Sequence, residues 1–119
     1  MGGASLRAHE REAQMLAVYN EIITLIRELR VTIEQIERRD TDLGRQMRRA
    51  SSSVALNVAE AQNNRGRNQQ LRFATALGSM RETKACLDVG NALGYVGEID
   101  VAHAMRIDRI CGMLYRLSR

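Results

Sequence analysis

Seven side chains, Met15, Tyr19, Ile22, Ile26, Leu29, Ile33 and Ile36, recur at alternating intervals of four and three residues. That 3.5-residue period is the a/d seam of helices packed side by side with a left-handed twist. A strand cannot use it, because a strand returns to the same face every second residue. Leu16, Val18, Ile23 and Leu25 widen the seam beyond a two-stranded coiled-coil stripe, to the breadth a bundle helix needs. The pattern predicts a helix from about residue 6 to about residue 38, roughly 45 Å long. Such a helix needs partners along its length.

The rest of the chain supplies them. Its 119 residues contain no proline, where average usage of about 5% would give about six. Proline breaks helix interiors and populates loops, so its absence predicts long helices joined by short turns. Only 3% of residues are aromatic, which argues against an all-β domain. A chain of this length reads as a single domain able to bury a core without staples.

Arg38-Arg39-Asp40-Thr41-Asp42 ends the first seam, with bases suited to a helix C-terminus and Asp40 or Thr41 able to cap the next helix. The second helix, about 41–63, shows a thinner stripe of Leu43, Met47, Ala50, Val54, then Asn57 or Val58, and Ala61. Asn63 to Asn68 reads as a loop, with Gly66 supplying permissive backbone. The third helix, about 68–93, places Phe73, Leu77, Met80 and Leu87 on one stripe and Ala74, Gly78 and Ala85 on a small-residue stripe beside it. A mid-helix glycine costs about 1 kcal/mol relative to alanine, so Gly78 is expected to have a packing reason. Gly94 and Gly97 bracket a turn with Tyr95-Val96 as a packed plug, and a fourth helix, about 98–118, carries Ile107, Ile110, Leu114 and Leu117. Four helices with short connections predict an all-α, up-down-up-down four-helix bundle.

The chain is poor in catalytic chemistry. His9 and His103 form no HExxH or Glu-x-x-His motif, and the glycines form no nucleotide cradle. Ser51, Ser52 and Ser53 lack the GxSxG elbow and read as small packing residues. Cys86 and Cys111 belong to no CxxC pair and sit in apolar patterns, as buried thiols do. These features predict a non-enzyme with no catalytic residue, no metal and no cofactor. Neither a signal-peptide h-region nor an 18-residue apolar run is visible, so the expected compartment is the cytoplasm, without membrane contact. Asn57 near the apolar seam reads as a register-fixing residue. Glu60 and Glu82 read as partners of arginines inside the chain or at an interface between chains, with Arg48 or Arg49 as the partner.

Charge is unevenly placed. From Arg38 to Arg72 there are eight arginines against Asp40, Asp42 and Glu60, a local +5 in a chain of net +4. Seventeen of the eighteen bases are arginine; codon usage in a GC-rich genome explains that preference but not the clustering. Arginine grips phosphate bidentately where lysine cannot. Arg45, Arg48 and Arg49 on the second helix, Arg65 and Arg67 in the loop, and Arg72 on the third helix are therefore candidate phosphate contacts. The same charges also suit a solvated face with local ion pairs. Without aromatics among them, base stacking on a single strand is not the expected mode.

The run from Gln46 to Glu60, QMRRASSSVALNVAE, resembles the signature of a bacterial four-helix bundle family labelled 23S ribosomal RNA intervening-sequence protein. Arg72-Phe73, the stretch from Ala76 to Thr83 and Leu93-Gly94-Tyr95-Val96 resemble later elements of that family in the same order. The usual glycine after the Ala-Glu pair is replaced by Ala61, and the usual proline between the first two helices is missing. The resemblance implies assembly into a ring-shaped homopentamer. It also implies kinship with the accessory variability proteins of diversity-generating retroelements, which bind nucleic acid and a reverse transcriptase. No catalytic residue is carried over. The expected function is a non-enzymatic oligomer that binds RNA or DNA, with a reverse transcriptase and its template RNA as the sharpest version. The alternative is a protein–protein scaffold without nucleic-acid activity.

Overall fold

A single residue, Asp40, separates the first two helices, because its Oδ1 accepts the Leu43 N–H at 3.0 Å and starts the second helix at once. The computed structural model describes the backbone of residues 2–119 and the side chains from Arg7 onward. It contains α1 (Gly2–Arg39), α2 (Thr41–Ala61), α3 (Gly66–Ala92) and α4 (Val101–Leu117), with no strand among the described residues. Each helix packs on its neighbours in the chain, and α1 also packs on α4. The all-α, up-and-down four-helix arrangement follows from this pairing and the short connections. The molecule measures 56 × 25 × 19 Å, its long axis set by the 38 residues of α1.

The core runs through all four helices. Ile22, Leu29 and Ile36 of α1 are buried as the seam predicts, but Val18 and Leu25 are fully buried while Tyr19 and Ile26 are only partly so. The buried face is thus centred one residue earlier than at Tyr19 and Ile26, because α1 must meet α2 and α4 on two flanks. Leu16, expected on that face, is 57% exposed. On α2, Val58 and not Asn57 enters the core. Gly44 sits where α2 crosses closest to α1: a Cβ there would lie 2.6 Å from Glu37 Cα. The α4 stripe of Ile107, Ile110, Leu114 and Leu117 is buried throughout.

The third helix departs most from expectation. Phe73, Leu77, Met80 and Leu87 are buried, but Ala74, Gly78 and Ala85 face solvent. A Cβ on Gly78 would meet nothing within 4 Å, so no contact within this chain requires glycine there. The buried small residues are instead Ala76 and Gly90. The helix ends in a Schellman turn: Gly94 takes φ +79, its N–H donates to Asn91 O, and Tyr95 N–H donates to Gly90 O at 2.9 Å. Tyr95 and Val96 then pack against the core, as the plug reading predicts. Asp100, not Glu98, opens α4, because its carboxylate accepts the Ala102 N–H at 2.8 Å. Likewise α2 stops at Ala61, two residues short of the expected end, where Asn63 and Asn64 turn back onto the carbonyls of Glu60 and Ala61.

Candidate nucleic-acid interface

Helical spacing puts Arg45, Arg49, Ser52 and Leu56 on the solvent face of α2, all exposed. Arg48 lies one residue round, toward α1. There its Nη2 donates to Glu37 Oε1 at 3.0 Å, and that hydrogen bond pushes the guanidinium pKa above its ordinary value. Within the chain, Arg48 and Arg49 do not pair with Glu60 or Glu82. Glu37 lies closer because the one-residue turn folds the end of α1 alongside the start of α2. Glu82 instead accepts from Gln46 Nε2 at 3.4 Å, and Glu60 makes no ion pair among the described residues.

Between α2 and α3 runs a polar ladder. Ser53 and Ser79 share a 2.8 Å hydroxyl hydrogen bond. Asn57 donates to Ser53 O at 2.9 Å and accepts from Arg72 Nη1 at 3.3 Å. Asn57 thus bridges α2 and α3 from the half-buried flank, not from within the apolar seam. Arg72, though exposed, is partly committed to this contact.

The far end of α2 is organised by two residues that the charge cluster did not single out. Gln69 Nε2 donates to both Ala61 O and Asn64 O at 3.0 Å, closing the C-terminus of α2. Arg11 donates to Gln69 Oε1 at 3.0 Å and to Leu117 O at 2.9 Å, and lies over the Phe73 ring at 5.8 Å. It ties the start of α3 to the end of α4. Arg65 and Arg67 are exposed here, and Arg67 shares a surface groove with Leu71 and Ser118. The end of α4 reaches this groove through Ser118, which brings Arg119 to the same end of the bundle with its guanidinium over the Tyr115 ring at 5.3 Å, and Arg116 stands two residues before Ser118 on α4. The six candidate arginines are split. Arg45, Arg48 and Arg49 sit in the first half of α2 and Arg65 and Arg67 just beyond its end, about 20 Å or more from Arg45 at 1.5 Å per residue, while Arg72, bonded to Asn57, lies between the two groups. Arg11, Arg116 and Arg119 were missed because only the antiparallel packing of α4 on α3 and α1 brings them there.

Other polar groups serve the fold. Arg106 and Arg109 of α4 pair with Glu21, and His103 Nε2 lies 3.5 Å from Glu28 Oε2. No group of three His, Cys, Asp or Glu suited to a metal ion occurs among the described residues. A groove of about 420 Å³ lies by the α3–α4 connection, lined in part by Leu29, Leu87, Ile99 and His103, and contains none of the candidate arginines. Cys86 is buried, whereas Cys111 is only partly so because it lies at the edge of the α4 stripe. Burial raises both thiol pKa values.

No helix among the described residues is long and apolar enough to cross a membrane. No curated protein and no solved structure matches the chain. What does match is the sequence profile described as 23S rRNA-intervening sequence protein, which covers residues 14–116 of the 119, and the chain belongs to that family.

Proposed function

We propose that this chain is a non-catalytic, self-assembling protein of the cytoplasm that holds RNA or DNA by its phosphates. The observation that carries this reading is the state of its exposed arginines. Arg45, Arg49, Arg65 and Arg67 make no ion pair among the described residues, whereas Arg30, Arg48, Arg106 and Arg109 each have a carboxylate partner. An exposed guanidinium without a carboxylate can take a phosphate bidentately without breaking an internal contact.

Self-assembly is supported by apolar residues left in solvent. Leu93 just after α3 and Val101 and Met105 of α4 are each more than half exposed. Covering them with further copies removes that surface from water. In a ring of five, the +4 of each chain becomes about +20 on one particle, which raises nucleic-acid affinity and encounter rate. The most specific form of this reading is a ring that presents template RNA to a reverse transcriptase of a retroelement. The same apolar faces favour a second reading, a protein–protein scaffold without nucleic-acid activity.

Binding to a structured RNA and to a DNA duplex across a salt series decides between them. Four phosphate contacts give a log–log slope of roughly −3.6 on a duplex and about a hundredfold loss between 50 and 200 mM salt. Undetectable affinity at low salt, or affinity indifferent to salt, overturns the nucleic-acid reading. Light scattering that gives a 13.4 kDa particle at micromolar concentration overturns the ring.

A further inference from the structure

The two groups of arginines are not equivalent. We propose that the nucleic-acid backbone docks at the end of the bundle formed by Arg65, Arg67, Arg116 and Arg119, and that the trio Arg45, Arg48 and Arg49 lies outside the contact. This rests on the nucleic-acid reading above, narrows it by leaving Arg45 and Arg49 out of the contact, and adds Arg116 and Arg119, which the sequence cluster does not contain.

Four observations carry it. First, local charge favours this end, even with Glu12 in the same groove as Arg65 and Glu60 exposed in the last turn of α2. The guanidiniums of Arg65, Arg67, Arg116 and Arg119 are exposed and make no ion pair among the described residues. At the start of α2, Arg48 is neutralised by Glu37 at 3.0 Å, with Glu34 also acting on it and Asp42 in the same first turn. The opposite connection adds Glu98 and Asp100. Second, the groups are separated by more than the Debye length of about 8 Å at physiological salt, so a phosphate at one end does not feel the other.

Third, the negative ends of two helices are already answered here. The last carbonyls of α2 and α4 point to this end and carry partial negative charge. Gln69 occupies Ala61 O, and Arg11 occupies Leu117 O. The field left for a ligand is that of the arginines and of the α3 N-terminus, which Arg65 leaves without a side-chain cap. Fourth, Arg119 is already placed, its guanidinium lying over the Tyr115 ring at 5.3 Å. An arginine already placed loses less side-chain freedom on binding.

The test compares R116S/R119S with R45S/R49S on a 20-base-pair RNA duplex and on a DNA duplex of the same sequence, with R65S/R67S as a second pair at the proposed end. All six positions are exposed, and unchanged circular dichroism and thermal melting confirm folding. The expected result is a loss of roughly tenfold or more for R116S/R119S and for R65S/R67S, with the salt slope reduced by about two. R45S/R49S is expected to change affinity by less than about threefold. A larger loss in R45S/R49S, or unchanged affinity in R116S/R119S, overturns the assignment. So does a change of particle mass in R116S/R119S at unchanged affinity, which gives this end to contacts between copies. A wild-type chain that binds neither duplex instead removes the nucleic-acid reading itself.

Discussion

Arg106 reaches from α4 across to α1 and places Nη1 3.0 Å from both carboxylate oxygens of Glu21. On its other edge, Nε lies 2.7 Å from Glu28 Oε1, in an approach too oblique for a hydrogen bond, and neither atom has another hydrogen-bond partner. The side chains are only about a quarter exposed, so water screens them weakly. Removing the guanidinium leaves two partly buried carboxylates, Glu21 with Arg109 alone and Glu28 with His103 alone. R106A is expected to lower unfolding stability by about 2 kcal/mol, whereas E28Q, which keeps the volume and leaves the Arg106–Glu21 pair intact, costs less than about 1 kcal/mol. Urea unfolding of the two variants reads both values. Equal midpoints for R106A and wild type would show that the cluster contributes nothing.

Both thiols are pushed up in pKa by burial, Cys86 further by Glu82. The folded state therefore holds the thiol proton more tightly than the unfolded state. Stability is full below the ordinary thiol range and falls as pH rises through it toward the folded values. The double variant C86A/C111A is expected to flatten that alkaline decline in urea midpoints measured from pH 7 to pH 10. A thiol reagent is expected to label Cys111 before Cys86, which is 3% exposed. Equal labelling rates would contradict the burial difference.

How much of this was legible in the sequence differs from helix to helix. The α4 stripe was read directly because charged residues flank it and leave one choice of face. In α3 small or apolar residues occupy most of the circumference, so spacing yields two seams and cannot tell which has a partner within the chain. Phe73 and its stripe found one, and Ala74, Gly78 and Ala85 did not. The α1 seam was read with its centre displaced, because Val18 and Leu25 compete with Tyr19 and Ile26 for the same arc. Contiguous arginines misled in another way. A 21-residue α2 carries them to opposite ends, while Arg11 and Arg119 reach the basic end only through packing. Ion pairs such as Arg106–Glu21, 85 residues apart, have no local signal at all.

Asp40 serves two elements at once. Its Oδ1 caps α2 through Leu43 N, and its Oδ2 accepts from Tyr95 Oη at 3.3 Å, with Arg39 over the Tyr95 ring at 5.7 Å. D40A removes a cap worth about 1 kcal/mol and also leaves the tyrosine hydroxyl without its acceptor. It is expected to cost about 1–2 kcal/mol in total, against about 0.5–1 kcal/mol for Y95F. D40N, which can still cap, is expected to recover most of the loss. If D40N and D40A melt at the same temperature, the cap is not what holds the turn.

Gly44 and Gly78 differ in what an added methyl group would meet within the chain. A methyl group on Gly44 would meet the backbone of Glu37 at 2.6 Å, and backbone cannot move aside as a side-chain tip can. G44A is expected to force α1 and α2 apart and cost about 1–3 kcal/mol. A methyl on Gly78 meets nothing within its own chain, so G78A is expected to raise the stability of the isolated bundle by about 1 kcal/mol through helix propensity alone. If copies assemble through the outer face of α3, the same methyl group intrudes where another helix approaches. G78A is then expected to shift light scattering toward smaller particles while the melting temperature measured at high dilution rises. A variant that is both more stable and fully assembled would place the contact between copies away from Gly78. One that is less stable at every concentration would mean that the glycine serves the bundle itself.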